Sequence, residues 1–438
     1  MTEEEGRPPR REPVPTTTSP IGMPDSLTVR SEAAAAVGAE LLSAGMASYR
    51  VRWAMSRTAR ALGLDSFTAI VTYTDITATA TLHGRYRTRL TQPRHVGVDV
   101  DRLHRTQRFV EALPDDGTTA AEVHAALAAL RARGPLHGRV TNALAAGFAC
   151  AAFAVLNQAG PLEAVAAGIA ATVGQAARRT AQLRAWNHLL TTVIGAVVAA
   201  CCYLLAVGGA GAAGWATGDL MGGHLAAVLF LVPGFPMITG LLDLVRADYS
   251  AGLQRLTYAA LIILAAASAA WTVSLAVGVE PVVAEPLGLS PPVLLAVRAA
   301  ATFVGVLGFA LIFNSPWLIA LTAAAVSLLA NSGRFLLTEA GVPIQVATLA
   351  ATVLVGLLAY AVARTRHVPR TAISVPAVVI MVPGYAMYSA FTLVNAGQAA
   401  AAATLTLDAL QTIIGAAFGL ALAHLATSPA WRRVEQPR

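Results

Sequence analysis

The chain has 438 residues, 56% of them hydrophobic and only 13% charged, and its mean hydropathy is +0.60. A soluble globular chain carries about 25% charge, so this composition excludes an ordinary water-soluble protein and points to the membrane class. The net charge is +7 and all 31 basic residues are arginine, but they follow a topological pattern rather than a nucleic-acid-binding one, so no nucleic-acid partner is expected.

Residues 1–25 are polar and Pro-rich, lack the apolar stretch of a secretory signal, and read as a disordered tail. Residues 26–135 read as a soluble domain of mixed α and β structure. Ser31 to Leu62 has helical spacing, with Val37, Leu41, Leu42, Met46, Tyr49, Val51, Trp53 and Met55 on a broad apolar face and Gly63 as the stop. FTAIVTYTDITATATL (67–82) is β-branched and partly alternating, which predicts one long strand or two shorter ones. HGRY (83–86) supplies a turn, and a further strand runs on until Pro93. Helical spacing returns over 100–113, and Thr119 with Glu122 forms a capping box ahead of AEVHAALAALRAR. His83, His95, His104, His124 and His137 lie in or near this region, but no HxH or HExxH pattern sets two of them on one helical face. Cys150, Cys201 and Cys202 sit in apolar runs without disulfide or zinc spacing, so no metal or cofactor is implied.

From about residue 140 the chain is apolar. Ten spans are predicted, at 141–158, 161–177, 187–207, 222–244, 256–279, 293–313, 316–333, 344–363, 373–394 and 406–426, the second and seventh being short. With both termini cytoplasmic, the inner flanks carry Arg131, Arg133, Arg139, Arg178, Arg179, Arg184, Arg246, Arg255, Arg364, Arg366, Arg370, Arg432, Arg433 and Arg438. The outer flanks carry Arg298 and Arg334 alone, in accord with the positive-inside rule. Residues 136–285 then form a first transmembrane repeat, 286–428 a second, and 429–438 a cytoplasmic tail.

VPGFPM (232–237) and VPGYAM (382–387) match at an offset of 150, and Arg139 matches Arg298 at 159. Five spans per repeat force the second repeat to enter the bilayer from the opposite face, which predicts two inverted halves, a transporter pattern. Pro233 and Pro383 lie near the middle of their spans. Neither can donate to the carbonyl four residues back, Leu229 or Val379, and Gly234 and Gly384 follow. A central break frees carbonyls for a cation and N–H groups for a carboxylate, a combination that suits a zwitterionic amino acid. The alternative is a packing kink. Candidate substrate-binding residues are Pro233, Gly234, Phe235, Pro236, Thr239, Pro383, Gly384, Tyr385, Tyr388 and Asn395, and Asn142, Asn314, Asn331 and Ser332 are further polar groups in the spans.

LVPGFPMITGLLDLVRADYSAGLQRL (231–256) resembles the PG…D…G…R signature of the threonine/serine exporter family, and SAGMASYRVRWAMSRTARALGL (43–64) resembles the start of that family's soluble N-terminal domain. The likeness in arrangement covers nearly the whole chain; in the second half the sharp match is VPGYAMY with Asn395. The resemblance implies a plasma-membrane exporter of small hydroxy amino acids, driven by the proton motive force. Asp243, Arg246, Asp248 and Arg255 form the expected coupling or gate cluster, in which Asp243 titrates or pairs with Arg246 or Arg255, unless the group is a solvated interface. Arg334 breaks the charge rule and is expected to face a cavity or to pair with Glu339. The soluble domain is expected under the cytoplasmic mouth, gating it or holding a second copy. Two rival readings are a membrane-tethered hydrolase, for which no GxSxG, HExxH or diagnostic carboxylate pair is present, and an uncoupled channel or scaffold. An ATP-driven pump is disfavoured by the lack of GxxxxGK[ST].

Overall fold

A computed structural model describes residues 26–93, 97–215, 220–278, 288–366 and 368–432. The expected tail 1–25, His95, Arg433, Arg438 and the rest of 433–438 lie outside the described residues.

The helical pattern over Ser31–Leu62 is two helices rather than one, α1 (Leu27–Ser43) and α2 (Ser48–Ala61). The chain turns between them at Gly45, whose φ of +93° is a conformation that side chains resist. The 67–82 segment is two strands, β1 (Ser66–Val71) and β2 (Ile76–Leu82), followed by β3 (Arg85–Thr91), in an antiparallel sheet of order β1-β2-β3. His83 and Gly84, both at positive φ, make the tight β2–β3 turn, with Leu82 opposite Arg85. Ile76, Ala78, Ala80 and Leu82 point to one face and are buried against α1. Helices α3 (Val100–Ala112) and α4 (Ala120–Ala132) complete this core, α4 being opened by the Thr119–Glu122 capping box. Val37, Leu41, Met55, Leu103, Val123 and Leu127 fill it. Glu40, buried beside it, is held by Arg131 at 2.7 Å.

A second, larger core belongs to the apolar helices: α5 (Arg139–Leu156), α6 (Pro161–Leu183), α7 (His188–Ala212), α8 (Gly234–Val245), α9 (Tyr249–Val277), α10 (Pro291–Ile312), α11 (Trp317–Glu339), α12 (Ile344–Arg366), α13 (Arg370–Val379), α14 (Gly384–Asn395) and α15 (Ala399–Thr427), with a short α16 (Pro429–Arg432). Among the described residues, seven of these (α5, α7, α9, α10, α11, α12 and α15) are long and apolar enough to cross a bilayer, and α13 with α14, bent by 42°, gives an eighth. The second and fourth predicted spans, at α6 and α8, fall outside that set: α8 has only 12 residues, and the segment before it, Ala226–Leu231, is a 3-10 helix. Phe148, Ile169, Leu205, Leu264, Leu329 and Phe418 are exposed on the outer faces of the bundle, as lipid contact requires. The chain is thus a multi-pass membrane protein. Alanine and glycine dominate the helix contacts. A Cβ on Gly308 would stand 2.6 Å from the Ala145 carbonyl oxygen, so α5 and α10 approach almost backbone to backbone.

The joints of the two halves recur at matching positions. Gln158 and Asn314, 156 positions apart, close α5 and α10 with the same left-handed turn, and Ala185 and Gly341 do so after α6 and α11. The offset becomes 150 from the proline breaks onward, where Ala247 and Gly397 turn into α9 and α15, each of 29 residues. The gap between halves is therefore six residues rather than the nine expected. In this register Arg298 stands at the position of Asn142, not of Arg139.

Candidate functional site: two proline breaks, one sealed and one open

The two breaks have the same backbone. Pro233 lies at φ −81°, ψ 56° and Pro383 at φ −78°, ψ 55°. Gly234 N donates to Val232 O and Gly384 N to Val382 O, each at 2.8 Å, which makes each proline the centre of an inverse γ-turn. The carbonyls of Leu229 and Val379, expected to be freed by the prolines, accept instead from Val232 N and Val382 N at 3.1 Å. The last N–H before each proline bonds one residue nearer than in an α-helix and closes a 3-10 turn, so each of those two oxygens already holds one hydrogen bond.

The breaks also pack on each other reciprocally. A Cβ on Gly234 would stand 3.1 Å from Val379 Cγ1, and one on Gly384 would stand 3.0 Å from Val232 Cγ2. Each glycine thus receives the valine side chains ahead of the opposite proline. This close approach is what a glycine in each motif is for, since neither has a positive φ.

At the first break the surroundings are sealed. Phe235 is buried, stacked edge-on against Phe313 at 5.5 Å and close to Gly45. Pro236 sits in the first turn of α8, where its missing N–H costs no helical bond. Thr239 donates back to Phe235 O at 2.9 Å and accepts from Arg255 at 3.3 Å. One helical turn on, Asp243 is fully buried and pairs with Arg255 at 3.1 Å, and Arg255 itself is 1% exposed. The loop between α1 and α2 caps both: Ser48 donates its N–H (2.9 Å) and its hydroxyl (3.2 Å) to Asp243, and Met46 O accepts from Arg255 at 2.6 Å. The Tyr73 ring covers the guanidinium at 5.1 Å, and burial holds the Tyr73 phenol above its ordinary pKa. Of the two partners expected for Asp243 it takes Arg255, and the pair is buried. Arg246 lies against the rings of Tyr49 and Trp431. Asp248 pairs with Arg52 of α2, at 2.9 Å for one of its two bonds.

The second break opens onto a cavity of about 550 Å³. Pro383, Gly384, Tyr385 and Ala386 form one side, and Arg298, Arg334, Phe335, Thr338 and Glu339 form another. The N–H groups of Tyr385 and Ala386, in the first turn of α14, have no backbone acceptor among the described residues. Arg298 pairs with Glu339 at 2.8 Å, while Arg334 donates through Nε to Asn331 at 2.7 Å, so Arg334 faces the cavity and leaves Glu339 to Arg298. Tyr388, one turn into α14, is buried and its hydroxyl has no partner among the described residues. Asn395 lies at the exposed end of α14, donating to Phe391 O, and does not line the cavity.

Of the other polar candidates, the three asparagines join separate segments, while the buried Ser332 hydroxyl has no partner among the described residues. Asn142 accepts from Gln175 at 2.7 Å, Asn314 donates to Asp99 at 2.9 Å, and Asn331 donates to Thr302 at 2.8 Å. Gly45, Met46 and Ser48, which seal the first break, are not among the site residues expected from the sequence, where Met46 reads only as part of an apolar face. Three of their contacts are made by backbone atoms, which carry no sequence signal. The arginines of the cavity did have one, in being the exceptions to the charge rule.

Two family models match the chain. One for threonine/serine exporters covers residues 32–278, and the model described as threonine/serine exporter, ThrE, covers residues 298–426. Neither a curated protein nor a solved structure matches the chain significantly. The first match alone covers more than half of the chain and takes in both the break at Pro233 and the Asp243–Arg255 pair, and the second takes in the break at Pro383 and most of the cavity lining: the chain belongs to the threonine/serine exporter family.

Proposed function

We propose that the chain is a secondary exporter of small hydroxy amino acids, threonine and serine foremost, working by alternating access and driven by the proton motive force. In this reading ten spans form two inverted five-span repeats, α6 and the 3-10 run with α8 counting as spans, and both termini face the cytoplasm of a bacterial cell. The observation that carries it is the pair of matching breaks, which pack on each other, the second of them lining the cavity. A site between two such elements can be reached from one face at a time if the halves rock about their contact. The N-terminal domain, residues 26–135, acts as the inner seal through Met46 and Ser48. The candidate binding groups are the first-turn N–H groups of α14, Tyr385 and Tyr388, together with Gly234, Phe235 and Thr239 of the first break once the seal opens. Asp243 is the candidate coupling carboxylate, because freeing it from Arg255 and Ser48 exposes a group that can take a proton.

The test is counterflow of labelled threonine and serine in proteoliposomes, with and without an imposed pH gradient. Saturable, gradient-accelerated flux is expected, and it should be lost in Gly234→Leu and Gly384→Leu proteins that still elute as folded species. Normal flux in both variants would overturn the role of the breaks. Absence of flux in folded wild-type protein would overturn the substrate.

A further inference from the structure

The helix joints place Arg178 of α6 at the position that Arg334 occupies in α11, 156 residues later, and Gln175 at that of Asn331. The two pairs sit differently. Arg334 lines the open cavity, steadied through Nε by Asn331 and stacked at 4.9 Å on Phe335. Its terminal amino groups have no protein acceptor among the described residues. The carboxylate in that cavity, Glu339, is already engaged by Arg298. The cavity therefore holds two guanidinium groups against one carboxylate and has an unmet need for an anion. Arg178 is partly buried on α6 and interacts electrostatically with the phenols of Tyr258 and Tyr388. It makes no hydrogen bond to the protein among the described residues, its Nε is buried without an acceptor, and the buried Tyr388 hydroxyl is likewise unmatched. A cation withdrawn from water without a counter-charge is costly, and both sites would be relieved by the same group.

We propose that Arg178 and Arg334 are equivalent carboxylate anchors for a zwitterionic amino acid, one for each access state. Arg334 takes the α-carboxylate by a two-pronged guanidinium contact while the present cavity is open, with the free N–H groups of Tyr385 and Ala386 across the same cavity. Arg178 takes it when the opposite mouth opens, with the Tyr388 hydroxyl as a second donor. The inference rests on the exporter reading for its substrate class, but the anchors can be tested without transport.

Calorimetric binding of threonine, serine and threoninamide to the full-length protein in detergent measures the anchor directly. Threonine or serine should bind, and threoninamide, which lacks the carboxylate, should bind at least about tenfold more weakly, as should threonine to Arg334→Gln. Melting temperature confirms that each variant is folded, and Arg334→Lys, which keeps the charge but not the fork, should fall between. In sided vesicles, Arg334→Gln should raise the half-saturating concentration on one face and Arg178→Gln on the other. Equal binding of threoninamide, unchanged affinity in folded Arg334→Gln, or no binding of either amino acid to the wild type would overturn the anchors. Arg334-dependent binding without gradient-driven flux would sink the exporter reading and leave the anchor standing. Wild-type flux in both arginine variants would do the reverse.

Discussion

The break at Pro233 and the break at Pro383 share a backbone to within a few degrees, yet one is sealed and the other is open. The difference comes from what lies beyond each. α8 runs into Asp243 and then into Arg255 of α9, and both are closed over by the α1–α2 loop. At the positions of these two residues, 150 further on, α14 and α15 carry Leu393 and Leu405, which can form no such pair and offer a capping loop no charge to hold. A repeated backbone thus sets where the chain can hinge, and unrepeated charges set which side is shut.

The largest effect expected from this contrast is one of access. In a background with Cys150, Cys201 and Cys202 replaced, Thr338→Cys in the cavity should react with a membrane-impermeant thiol reagent. Thr239→Cys, under the seal, should be protected. Equal labelling of the two would erase the distinction between a sealed and an open break.

A second prediction compares two carboxylates on the sealed side. Asp243→Ala leaves Arg255 buried and unpaired and should cost about 3–5 kcal/mol. Asp248→Ala breaks a partly exposed pair with Arg52 and should cost about 1 kcal/mol or less. Thermal unfolding of the two variants in detergent measures the gap. Similar losses would mean that the Asp243 pair is wetter than its burial indicates.

The third prediction is the smallest and sharpens the reciprocal packing. Gly384→Ala places a methyl group against Val232 Cγ2 and should destabilise by about 1–3 kcal/mol. Val232→Ala in the same chain should recover part of that loss, and Gly234→Ala should respond to Val379→Ala in the same way. Strict additivity in either double mutant would show that the contact is not made.

Much of the framework was legible in the chain itself. Long apolar runs must satisfy their backbones by helix formation in lipid, so most spans could be read directly. Thr119 and Glu122 announce the start of α4, and the paired VPG motifs announce the breaks, because proline removes a donor wherever it stands. The helix expected over 31–62 was divided by Gly45, a residue that apolar spacing alone passes over. The span at α8 was blurred by its 3-10 approach, a hydrogen-bonding choice that composition does not encode.

The sequence by itself determined that this is a membrane chain with a repeated VPG motif and a mixed N-terminal region, and it marked Asp243 and Arg255 as members of a charge cluster and Arg334 as an exception to the charge rule. Only the tertiary structure decided that Asp243 takes Arg255 and not Arg246, that the loop carrying Met46 and Ser48 covers the pair, and that Glu339 goes to Arg298 so that Arg334 faces the cavity. The reason is physical. Helix formation and membrane burial are local or one-dimensional properties, fixed by runs of residues. The choice of partner for a charge depends on which backbone carbonyls and helices arrive beside it from some 200 positions away, as Met46 does at Arg255.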